Sequence, residues 1–166
     1  MSVQITIQLT QIGPTHHQFL YRRADGTGES LELETKTFLF HDFLHFAVES
    51  EAGLSNSFYG LLAQSESYAA LSAEGAQSDM RKEIGMTERI VGALTGAIKG
   101  DIAPKEVIVG LKNMSDAYGD TLPEWITPEF VVKVKERMKK LLGEWNSTPF
   151  GQTMELYFEP VSNSRE

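Results

Sequence analysis

The sequence predicts an α+β fold, a small antiparallel sheet packed against about five helices. Three observations predict it. Apolar and polar residues alternate with period two in three short stretches between Met1 and Glu34 and again from Met154 to Glu159. Helical spacing fills the chain between those stretches. No repeat, low-complexity tract or linker-like composition divides the whole, so residues 1-166 read as a single domain. A chain of this length buries enough surface to need no disulfide or metal staple.

In the first strand Val3, Ile5, Ile7 and Leu9 point one way and Gln4, Thr6, Gln8 and Thr10 the other, until Gly13-Pro14 breaks the run. A second strand is expected over Gln18 to Arg23. Asp25-Gly26-Thr27-Gly28 is a turn signal, because Asp and Gly tolerate the backbone angles that hairpins need. A third strand over Glu29 to Glu34 sets Leu31 and Leu33 against Ser30, Glu32 and Glu34. These three strands form a meander with one apolar face.

The period then becomes helical. Thr35 or Thr37 is the expected cap of a helix reaching Ala52, and Gly53 fits its left-handed stop. Ser55 is placed as the cap of a short helix through Phe58, Leu61 and Leu62, and Ser65 to Gln77 reads as a loop with a weak helical turn. Met80, Ile84, Val91, Leu94 and Ile98 make the next helical stripe; Gly92 and Gly96 on that helix read as sites of close helix packing. Pro104 suits the first position of a helix carrying Val107, Leu111, Met114 and Tyr118. After a loop from Gly119 to Ile126, Thr127 caps and Pro128 opens the last helix, with Phe130, Val134, Met138, Leu141 and Trp145 as its stripe. The closing strand, with Met154, Leu156 and Phe158 on one face, is expected to pair with the first.

Composition limits the function classes. The 15 basic residues are outnumbered by 23 acidic ones, a formal charge of −8, which argues against nucleic acid and anionic membranes as partners. A run from Lys133 to Lys140 is locally basic, but its apolar residues fall on one stripe and its charges on the solvated face. Without cysteine there is no thiolate metal site and no cysteine nucleophile. No stretch is apolar for the roughly 20 residues of a membrane helix, and Met1 to Thr10 lacks a secretory pattern, so the expected compartment is cytoplasmic. A small molecule or a protein is the remaining class of partner, with homo-oligomer formation left open. Walker, dinucleotide, EF-hand and Gly-x-Ser-x-Gly patterns are absent.

Chemistry concentrates in one segment. All four histidines lie between positions 16 and 45, and two stand in His41-Asp42-Phe43-Leu44-His45, followed by Glu49. At about 100° per residue, with His41 at zero, His45 falls near 40°, Glu49 near 80° and Asp42 near 100°. Leu39, Phe40, Phe43, Leu44, Phe46, Ala47 and Val48 occupy most of the remaining girth. A polar arc usually is only the wet side of a helix, but wet sides carry Lys, Arg or Gln, and this arc carries none. Two imidazoles one turn apart, with a carboxylate one turn on, suit a divalent metal such as zinc, iron or manganese. The expected metal ligands are therefore His41, His45 and Glu49; Asp42 is expected either to support a ligand from behind or to act as the catalytic base, with Asp42 or Glu49 positioning a metal-bound water if the protein is a hydrolase. Further ligands are sought among Glu34, Glu66, Asp79, Glu83 and Asp116, while His16 and His17 read first as solvated residues at a hairpin tip. The alternative is a non-catalytic interaction or regulatory domain in which the arc is incidental.

The order His41-Asp42-x-x-His45 resembles the His-Glu-x-x-His helix of zinc peptidases, but Asp42 is one methylene shorter than the Glu that acts as base there. The adjacent His-Asp pair is similar to that of the metal phosphohydrolases named for it, whose further ligands have no placeable counterpart here. From Thr37 to Gln64, His-Asp-x-x-His-Phe, Glu-x-Glu-x-Gly-Leu and Ser-Phe-Tyr-Gly-Leu-Leu-Ala resemble a pattern of uncharacterised bacterial proteins. That resemblance spans about 28 residues and implies that they belong together, without supplying a reaction.

Overall fold

A computed structural model describes residues 4–64, 66–72 and 82–159. The elements run β1 (Ile5–Gln11), β2 (His16–Arg23), β3 (Gly28–Glu34), α1 (Thr35–Ala52), α2 (Phe58–Gln64), α3 (Tyr68–Ser72), α4 (Lys82–Lys99), α5 (Pro104–Ala117), α6 (Pro128–Ser147) and β4 (Thr153–Phe158). The fold is α+β, with the sheet order β3-β2-β1-β4 and every pairing antiparallel. The closing strand pairs with the first as expected, Leu156 opposite Ile7 and Phe158 opposite Ile5.

Period-two alternation divides the sheet into two faces. Ile5, Ile7, Leu9, Phe19, Tyr21, Leu33, Met154, Leu156 and Phe158 are buried beneath the helices. The opposite face is solvated and held by cross-strand polar pairs, Gln8 to Glu155 at 2.9 Å and Thr10 to Thr153 at 2.8 Å. Val3, the first apolar residue of the expected alternation, lies outside the described residues, as do Met80 and Asp79.

Helix α1 is the centre of the molecule. Its eight residues from Asp42 to Glu49 are all buried, so no side of this stretch faces solvent. A helix apolar around most of its girth has nowhere else to go, and α1 is enclosed by β3, α2, α4 and α6. Its start differs from expectation. Neither Thr35 nor Thr37 is the cap; β3 runs into the helix without a loop, and Glu34 takes the N-cap position with no side-chain cap bond. The Thr35 N–H donates to Thr15 O at 2.9 Å, the Thr35 hydroxyl meets His17 Nδ1 at 2.9 Å, and the Thr37 hydroxyl donates back to the Glu34 carboxylate. Its end follows the sequence: Gly53 is left-handed at φ 68° and its N–H returns to Glu49 O.

Two other placements depart from the sequence reading. Gly92 and Gly96 are not at a close helix contact, since a Cβ added at either would meet nothing within 4 Å. Close backbone approaches occur instead at Gly60, whose Cβ would lie 2.1 Å from Ser55 O, and at Gly28, whose Cβ would lie 1.9 Å from Tyr21 O. His17 is buried in the core rather than solvated, edge-on to Trp145 with ring centroids 5.7 Å apart. Its position on the inward-facing side of β2, level with Leu33, explains this. His16 beside it is exposed, as expected. Among the described residues, no helix is long and apolar enough to cross a membrane.

Candidate metal centre

α1 and α4 lie side by side and run antiparallel, with His41 and His45 reaching Glu88 near the middle of α4 and Lys99, at its end, resting over the ring of Phe40. Along this seam His45 stands between two carboxylates. Its Nδ1 is 2.9 Å from Glu49 Oε2, and its Nε2 is 2.9 Å from Glu88 Oε1. The two contacts differ in kind. The first is an aligned hydrogen bond. The second is an ion pair whose angle falls short of an aligned hydrogen bond. His41 adds its Nε2 3.7 Å from Glu88 Oε2.

Glu49 belongs to the frame beneath this group. Besides His45, it accepts the main-chain N–H of Tyr59 on Oε1 at 2.8 Å and of Phe58 on Oε2 at 3.2 Å. A carboxylate filled by three donors fixes the ring plane of His45 and ties α1 to the start of α2. Among the described residues, the acidic and imidazole groups whose ligand atoms converge are His41, His45 and Glu88, all within 4.8 Å of one another. Glu49, the carboxylate anticipated from spacing, stands on the far nitrogen of His45.

Asp42 is buried and turned toward α3, where its Oδ2 accepts the Tyr68 hydroxyl at 2.9 Å. Its main-chain carbonyl accepts the Tyr59 hydroxyl at 2.8 Å. Of the further candidates, Glu34 and Asp116 are exposed, and Glu66 lies in the link between α2 and α3. Glu83 sits in the first turn of α4 with a buried Oε2 that has no partner, outside the converging group. His17 is engaged with Thr35 and Trp145.

Burial and charge compete throughout. Burial pushes His45 down, yet Glu49 and Glu88 more than reverse it and hold the imidazolium up to about 10. Burial pushes the Glu49 carboxyl up, while His45 and the two N–H donors favour its ionised form. For Glu88 the burial effect is outweighed by His45 and His41, leaving it below the usual carboxylate range. His41 is lowered by burial and by the neighbouring His45. Burial raises Asp42 to about 7, against the pull of Tyr68 and His45.

Glu88 was the residue that sequence spacing missed, and a signal for it existed. It fills the position between Ile84 and Val91 on the apolar stripe of α4, where a charged side chain would be buried without a purpose. A depression of about 290 Å³ on the solvated sheet face, beside Leu20, Arg22 and Tyr157, contains none of these residues. Compared with known proteins, the chain matches no family model, and no curated protein or solved structure was found to be similar.

Proposed function

We propose that the protein binds a divalent metal ion through His41, His45 and Glu88, with Glu49 as the carboxylate that orients His45. The observation that carries this reading is the buried Nε2 of His45, which faces a second imidazole and a carboxylate yet has no aligned hydrogen bond. A tetrahedral ion bonded at about 2.1 Å holds its donors roughly 3.4 Å apart. The spacings of 2.9 and 3.7 Å from Glu88 to the two rings bracket that value. Two imidazole nitrogens and one carboxylate suit zinc, iron or manganese. Binding would displace the His45 proton, so the ion takes the place of a charge that the two carboxylates already hold.

The site has a dry side and a wet side. The His45 side chain is 1% exposed and Glu88 18%, but His41 is 44% exposed. Three protein ligands with one open flank are the arrangement of metal centres that bind water. Such an ion acidifies its water and supports hydrolysis; Asp42, expected from the sequence as the base, points instead to α3, where its Oδ2 accepts the Tyr68 hydroxyl. A second reading is favoured by the same two carboxylates: an imidazolium clamped between Glu49 and Glu88 would staple α1 to α4 with no ion at all.

The two readings separate by calorimetric titration of chelator-treated protein with zinc, manganese and cobalt. One-to-one binding is expected, weakened at least tenfold by His41→Ala and by Glu88→Gln. Both residues retain solvent contact, so the variants are expected to fold, checked by circular dichroism. Binding that is absent, or equal in wild type and both variants, would overturn the metal reading and leave the clamp.

A further inference from the structure

The outer face of the sheet, turned away from the helices, carries polar side chains or glycine at its outward strand positions, with two large exceptions. These are Leu20 on β2, half-buried, and Tyr157 on β4, 52% exposed. Arg22 shares that face with them. It lies opposite Thr6 of β1, Thr6 lies opposite Tyr157, and Leu20 is two positions back on the same strand. Together with Gln4 and Gln8, these side chains line the depression of about 290 Å³. That size falls at the small end of ligand pockets, which run from roughly 300 Å³ upward.

Arg22 is the unsatisfied group in this depression. Among the described residues it has no ion pair, hydrogen bond or ring contact. The other described arginines are engaged: Arg23 donates to Leu62 O at 2.6 Å and to Glu66 O at 2.8 Å, Arg89 pairs with Asp120 at 2.7 Å, and Arg137 pairs with Glu51 at 2.8 Å. Acidic residues outnumber basic ones 23 to 15, so a shortage of carboxylates does not explain a lone guanidinium. Its surroundings do. Its outward neighbours are uncharged, Gly28 and Thr6 on the flanking strands and Leu20 and Ala24 along its own chain. Glu155, on the same face, is tied to Gln8 Nε2 at 2.9 Å.

We propose that this depression binds a small organic monocarboxylate, its carboxylate on Arg22 and its apolar body against Leu20 and Tyr157. A guanidinium presents paired N–H groups in the spacing of two carboxylate oxygens, and the Thr6 hydroxyl beside it offers one more donor. One cation matches one negative charge. A dianion such as phosphate finds no second cation lining the depression except Arg23, whose guanidinium is committed to Leu62 and Glu66, and it meets Glu155 beyond Gln8. The site is independent of the metal reading, since its residues lie on the face of the sheet opposite α1.

The test titrates the full isotope-labelled chain with benzoate, with uncharged benzamide and with inorganic phosphate, and follows backbone amide resonances. Benzoate is expected to give saturable shifts centred on Thr6, Leu20 and Arg22. Benzamide and phosphate are expected to bind at least fivefold more weakly. Arg22→Gln is expected to weaken benzoate at least fivefold with resonances elsewhere unmoved, because Arg22 holds nothing in the fold. Arg89→Gln, which removes a guanidinium away from the depression, is the control and leaves benzoate binding unchanged. Benzoate shifts that do not saturate, or that are equal in wild type and Arg22→Gln, would overturn the site. Benzamide or phosphate binding as tightly as benzoate would overturn the carboxylate as its ligand.

Discussion

Glu49 is fully buried and satisfies one imidazole and two main-chain N–H groups. Glu49→Ala strands all three donors, and the expected loss is about 3–5 kcal/mol of unfolding free energy by urea titration. His17 supplies a second prediction, remote from the proposed metal ligands. Burial, and then the charge of His16, lower it from about 6.5 to about 4. Between those two values the unfolded chain takes up a proton that the folded chain refuses, so stability falls as pH drops from 6.5 to 4 and is unaffected above that window. The loss is expected to reach up to about 3 kcal/mol in wild type, and His17→Gln is expected to remove that component of the pH dependence. A pH profile identical in the two proteins would contradict the assignment. Both residues show how far single positions are legible in sequence. The helical arc from His41 to Glu49 was visible from spacing alone. Whether a carboxylate at its edge joins the two imidazoles or props one of them from behind depends on which segment packs alongside, and here that is α4 with Glu88, 43 and 47 positions from His45 and His41.

Elements were legible where one face is wet and the other dry. The three strands of the meander and β4 carry that contrast at every step, and α6 adds explicit punctuation: the Thr127 hydroxyl accepts the Phe130 N–H at 3.1 Å, with Pro128 in the first turn. Thr127→Ala is expected to cost about 1 kcal/mol, read from the thermal midpoint. The start of α1 was not legible, because capping there is supplied by neighbours brought close in space, Thr15 and His17, rather than by the adjacent sequence. Short α2 is fixed by a backbone approach that no periodicity announces. At Gly60 even one methyl group would collide with the Ser55 carbonyl. Gly60→Ala is therefore expected to destabilise by about 1–3 kcal/mol through displacement of the loop that delivers Phe58 and Tyr59 to Glu49. The same substitution at Gly143, where the space is open, is expected to stabilise by about 0.5–1 kcal/mol. Opposite signs for one chemical change would be read directly from paired urea midpoints.

If the chain holds an ion as proposed, binding and folding are linked in the whole molecule. An ion that binds only the folded chain stabilises it by about 2.7 kcal/mol at a hundredfold excess over its dissociation constant, and the melting temperature should climb with metal concentration accordingly. His41→Ala should flatten that climb. The architecture also sets the sequence of events by which the chain reaches this state. β1 lies at the middle of the sheet, flanked by β2 on one side and by β4 on the other, with Ile5 level with Phe158. A nascent chain leaving the ribosome can zip its first hairpin within moments. The opposite margin of β1 must then wait, its carbonyls and amides bare, while more than a hundred further residues are polymerised. During that interval the exposed margin offers unpaired backbone groups to any other extended strand.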